Sequence, residues 1–125
     1  MNETLERDMN KSLRDLCEVK GLLHYHTVDS RKSNKGFPDW VVIVKWTSRL
    51  HFKDYDGYTA RAVIYAEFES QNRPLTVEQA KWIKELRMTD RAYVVRGKFG
   101  LDLFLDMINT PVSYTHLTLP TICSV

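Results

Sequence analysis

The chain has 125 residues, enough for one domain with a core that can fold unaided. Apolar residues make up 43% and charged residues 27%, an ordinary balance for a soluble globular protein, and no apolar run approaches the roughly 20 residues that span a bilayer. Lys and Arg number 18 against 16 Asp and Glu, a formal charge of +2 that favours a polyanionic partner only weakly, and the two cysteines, Cys17 and Cys123, make no disulfide framework.

The N-terminal stretch is polar without a signal-peptide core, so a soluble, cytoplasmic protein is expected. Leu5, Met9, Leu13, Leu16 and Cys17 recur at three- and four-residue spacing and predict a helix over 4–20, with Gly21 as its stop. Residues 22–27 form a short apolar and aromatic run, a first strand. Residues 28–38 are rich in Asp, Ser, Arg, Lys, Asn, Gly and Pro and read as a loop. The β-branched run 40–47 is apolar on both faces over most of its length and fits a central strand.

After a polar connection with an Asp56-Gly57 turn signal, 61–69 (Arg-Ala-Val-Ile-Tyr-Ala-Glu-Phe-Glu) is the next strand. The connection 48–60 is longer than a plain hairpin needs. Thr76 suits the N-cap of a helix over 77–88, with Glu78 in its first turn. A strand over 92–95 and a helix over 101–108, with Leu101, Phe104, Leu105 and Ile108 on its apolar face, complete the order α-β-β-β-α-β-α. That order suits an α/β fold with a mixed sheet. Trp40, Trp46 and Trp82 read as core.

Every Lys, Arg, Asp and Glu lies before Pro111. Within the uncharged stretch 111–125, Val112-Ser113-Tyr114-Thr115-His116-Leu117-Thr118-Leu119-Pro120-Thr121 resembles a translated sequencing adapter. A native β-prone strand is the alternative reading. We set 111–125 apart from the domain at 1–110, and do not count His116 or Cys123 as metal ligands.

Three acidic positions stand out. Asp39 sits where Gly36-Phe37-Pro38 enters a buried strand. Glu67 and Glu69, two apart, leave one face of the next strand while Phe68 leaves the other. Carboxylates at the end of an apolar strand are costly to bury alone. A hard divalent cation would relieve that cost, and so would solvent or an Arg or Lys partner.

The chain resembles the VRR-NUC family of the PD-(D/E)xK nucleases, in particular its stand-alone phage and bacterial members. The resemblance rests on Glu6 in the first helix, Gly21, His26 with the following Asp29-Ser30-Arg31, Gly36-Phe37-Pro38-Asp39, Glu67-Phe68-Glu69 and Gln79. It runs from about residue 3 to 109. It implies a restriction-endonuclease-like sandwich and a magnesium- or manganese-dependent hydrolysis of DNA phosphodiesters, on branched, flapped or duplex substrates. Asp39, Glu67, Glu6 and the carbonyl of Phe68 would hold the metal, with Glu3 the alternative helical carboxylate. Asp39, Glu67, Glu69 and Gln79 would form the catalytic group. His26, Arg31, Lys32 and Lys35 would contact nucleic acid. A homodimer in a bacterial or phage-infected cytoplasm also follows from the resemblance.

One departure matters. The family's motif lysine is Glu69 here, and a Glu cannot supply its positive charge. Glu69 would serve as a general base or a further metal ligand, or the chain is a DNA-binding module with impaired catalysis. An RNA-directed nuclease is a third reading.

Overall fold

A computed structural model describes residues 3–27, 35–46, 53, 57–58, 60–89 and 91–109. The stretch 111–125, the loop residues Arg31 and Lys32, Asp56, most of the 48–60 connection and the side chain of Glu3 lie outside the described residues. The chain forms helix α1 (Glu3–Lys20), strands β1 (His24–His26), β2 (Trp40–Trp46) and β3 (Ala60–Glu69), helix α2 (Val77–Thr89), strand β4 (Arg91–Arg96) and helix α3 (Gly97–Asn109). The architecture is mixed α/β: three helices and one four-stranded mixed sheet of order β1-β2-β3-β4. β1 and β3 run antiparallel to β2, and β4 runs parallel to β3 after the excursion through α2. None of the described helices is long and apolar enough to cross a membrane.

Alternation along the strands divides the apolar side chains between two faces. On one face Trp40, Val42, Val44, Trp46, Ile64, Ala66, Phe68, Tyr93 and Val95 join Met9, Leu13 and Cys17 of α1 and Leu101, Phe104 and Met107 of α3. On the other, Ala92 and Val94 join Ile83 of α2, with Tyr65, Leu75 and Leu86 packed around them. Helices α1 and α3 therefore cover one side and α2 the other. Trp40 also ties α1 to the sheet, its Nε1 donating to Asn10 Oδ1 at 2.9 Å.

Local chemistry sets the element ends. Gly21, at φ 68°, ends α1. Its N–H donates to the Glu18 carbonyl, and the N–H of Leu22 donates to the Cys17 carbonyl at 2.8 Å. This is the two-bond Schellman arrangement, and buried Leu22 supplies its apolar contact. Helix α2 starts on a reciprocal capping box. Gln79 N–H donates to Thr76 Oγ1 at 3.1 Å, and Thr76 N–H donates to Gln79 Oε1 at 2.8 Å.

Three expectations need adjusting. The first strand is only His24–His26, shorter than 22–27. Helix α3 begins at Gly97, four residues before 101, because Gly97 and Gly100 hide its first turn from a pattern of apolar spacing. Trp82 is half-buried, its ring edge-on to Phe37 with centroids 5.0 Å apart, whereas Trp40 and Trp46 are fully in the core.

Candidate metal and phosphate site

The site is built where β2 begins and β3 ends. Trp40 pairs with Ala66, so one further step of the antiparallel register sets Asp39 opposite Glu67. Directly opposed residues share a face, with Cβ atoms roughly 4.5–5.5 Å apart. Trp40 points to the α1 side, so Asp39, Glu67 and Glu69 all point to the α2 side. Glu67 and Glu69 are only 3% and 6% exposed, the only buried charged residues among those described.

The chain holds these carboxylates from several directions. Asp39 Oδ2 accepts from the Phe68 N–H at 2.9 Å. Within a strand the carbonyl of a residue points to the same side as its N–H, so the Phe68 carbonyl also faces the Asp39 edge. Gln79 Nε2 donates to Glu67 Oε2 at 3.1 Å and reaches Glu69 Oε2 at 3.4 Å. The capping box fixes the orientation of that amide. Its oxygen is taken by a backbone N–H, so its NH₂ must face the carboxylates. Arg73 Nε stands 3.8 Å from Glu69 Oε1.

The loop Gly36-Phe37-Pro38-Asp39 positions the first carboxylate. Gly36 has φ 88°, and a Cβ built on it would lie 2.5 Å from the Glu78 carbonyl carbon and 2.6 Å from Glu78 Cβ. Only a glycine lets this loop lie against the first turn of α2. Phe37 then meets Trp82 and Tyr65 edge-on. Thr27 closes the loop to β1: its Oγ1 donates to the Pro38 carbonyl and its N–H to the Asp39 carbonyl. These four loop residues thus dock the loop on α2 and set Asp39 opposite Glu67.

The electrostatics follow from this crowding. Burial raises the Asp39 carboxyl above its ordinary range, against the Phe68 N–H, which favours its charged form. Burial also raises Glu67, and the adjacent Asp39 charge raises it further. Two like charges this close cannot both ionise cheaply, so without a cation the pair shares a proton. Burial raises Glu69 as well, opposed first by the charge of Arg73. Glu6 on α1 is exposed, yet its charge bears on Asp39, Glu67 and Glu69.

The remaining expected residues are placed differently. His26 pairs with Trp40 and lies flat on its ring, centroids 4.3 Å apart at 4°. It therefore stands on the α1 side, across the sheet from Glu67. Burial, with the charge of Arg14, lowers its pKa. Lys35 is exposed and ion-paired to Glu78 at 3.3 Å. The sequence reading missed Arg73, which no motif marks, and the second half of the capping box, which Thr76-Val77-Glu78-Gln79 does spell out.

Among the described residues no group of three or more His, Cys, Asp or Glu side chains is gathered closely enough to hold a metal ion. Asp39 and Glu67 alone are a set that suits magnesium, which takes one or two carboxylates and keeps its other positions for water and phosphate. No protein-family model matches the chain, and no curated protein or solved structure matches it.

Proposed function

We propose that this chain is a divalent-metal-dependent nuclease that hydrolyses DNA phosphodiester bonds, built on a restriction-endonuclease-like sandwich of the VRR-NUC kind. The observation that carries the reading is the directly opposed pair of half-buried Asp39 and buried Glu67. Among the described residues no Lys or Arg is ion-paired to either member, and the charges that raise them are those of other carboxylates. Such a pair is unfavourable unless it holds a proton or a cation.

Asp39 and Glu67 would hold magnesium or manganese, with the Phe68 carbonyl and Glu6 at the rim. The bound ion would supply charge neutralisation at the phosphate and a lowered water pKa. The Phe68 N–H and the Gln79 amide hold the two carboxylates in place, so little reorganisation is needed on loading. Glu69 sits beside Glu67, where a carboxylate can accept a proton from water. Toward the start of β3 an open groove of about 660 Å³ is lined in part by Arg61 and Arg87, side chains suited to a nucleic-acid backbone, and by Arg91, whose guanidinium lies over the Trp46 ring on the α1 side. Branched DNA as the preferred substrate and a homodimer as the working form belong to this proposal.

The test is cleavage of labelled four-way-junction and duplex DNA in manganese, magnesium or EDTA. Metal-dependent cleavage is expected, falling about 100-fold or more in Asp39→Asn and Glu67→Gln. A second reading follows from Glu69, which stands where the family has lysine: DNA binding without cutting. Binding by the wild type with no cleavage in any metal would select it.

A further inference from the structure

We infer that Arg73 is the phosphate-contacting cation of this site and supplies the positive charge that residue 69 lacks. The inference rests on the nucleic-acid reading above and names a residue that the family motif does not include. Glu69 is buried, its side chain only 8% exposed, whereas the Arg73 side chain is 65% exposed. The buried carboxylate is thus an anchor, and the guanidinium at 3.8 Å from it is the group that meets solvent beside Glu69.

The main chain at Arg73 is held in place independently. Arg96 pairs with Glu69 across the parallel β3–β4 ladder. Its Nη1 donates to the carbonyls of Ser70 and Arg73, latching the turn that follows β3. Arg73 therefore leaves a fixed turn, four residues after Glu69, and its Nε faces back toward the site. An arginine stays charged at any working pH and presents a planar fork that matches phosphate oxygens. It cannot take a proton from water, so its role is to bind and position phosphate, while proton transfer falls to a carboxylate.

Binding of the full chain to a fluorescein-labelled DNA duplex by anisotropy in calcium, with manganese-supported cleavage measured beside it, tests this. Arg73→Ala is expected to weaken binding roughly ten-fold and to reduce the slope of log affinity against log salt by about one. Arg73→Lys should keep most of the affinity. Lys11→Ala, an exposed charge on α1 ion-paired to Asp15, should change affinity less than about two-fold. Glu69→Lys, which sets a like charge against Arg73, should not increase cleavage. Wild-type binding with Arg73→Ala within two-fold of it overturns the inference and leaves the nuclease reading standing. Binding that depends on Arg73 without any cleavage upholds the inference and removes the hydrolytic reading. A wild type that neither binds nor cuts removes both.

Discussion

Glu67 shows how one register step creates chemistry. Had β2 begun one residue later, Asp39 would not face it, and the strand end would carry a single hydrogen-bonded carboxylate. With Asp39 opposed, burial raises both carboxyls, and the Asp39 charge raises Glu67 further. The folded chain then binds more protons than the unfolded chain between the ordinary carboxylate range, near pH ~4, and the raised folded values. The stability that this proton uptake contributes is fully present below that range and is lost as pH rises through the folded values. Glu67→Gln removes the repulsion and keeps an acceptor for Gln79. The metal-free variant should therefore melt above the wild type at pH 8, with each kcal/mol gained worth roughly 4–8 °C, and near it at pH 4.5. Melting curves at the two pH values check this; an equal loss at both would mean the carboxylate is structurally satisfied. The spacing of Glu67 and Glu69 was legible in the sequence. The opposition of Asp39 was not, because register depends on a pairing that no local pattern states.

The elements that carry these residues are held by short-range devices of different legibility. The helix pattern Leu5, Met9, Leu13, Leu16, Cys17 placed α1 correctly because a 3.6-residue period shows directly in the spacing of apolar residues. Strand β2 reads as apolar on both faces, and it is central, but only its α1 face is fully buried. Chemistry alone did not reveal that, since Val41 and Ile43 are as apolar as Val42 and Val44. Cys17 belongs to the core, its thiol pushed up to about 11 chiefly by burial, and has no role in the site. The loop before β2 is the most exacting device. At Gly36 a positive φ coincides with a backbone that approaches so closely that an added Cβ would lie 2.5 Å from the Glu78 carbonyl carbon. Gly36→Ala should lower stability by roughly 2–4 kcal/mol, combining left-handed strain with overpacking. Urea denaturation measures it, and a loss under about 0.5 kcal/mol would show that the loop can lift off α2 without cost. The glycine itself was visible in the sequence; its contact with Glu78, 42 residues on, was not.

At the scale of the molecule, the sheet separates support from function. Helices α1 and α3 seal one face with most of the large side chains. The other face, under α2, carries a smaller apolar cluster and the carboxylates. On the proposed reading, a net charge of +2 gives little attraction for a polyanion, so binding would depend on where individual charges are placed. His26 was expected near the carboxylates and instead stacks on Trp40 across the sheet, which follows from its pairing partner and not from its residue type. The central claim is that Asp39 and Glu67 form a divalent-cation site. Calorimetric titration of manganese into the full chain at pH 7.5, with melting temperature followed in parallel, tests it most directly. Wild-type protein should bind the ion and gain stability, by about 2.7 kcal/mol at a hundred times the dissociation constant, while Asp39→Asn and Glu67→Gln should lose most of both responses. A wild type that binds no manganese, or variants that bind it equally well, would contradict the account.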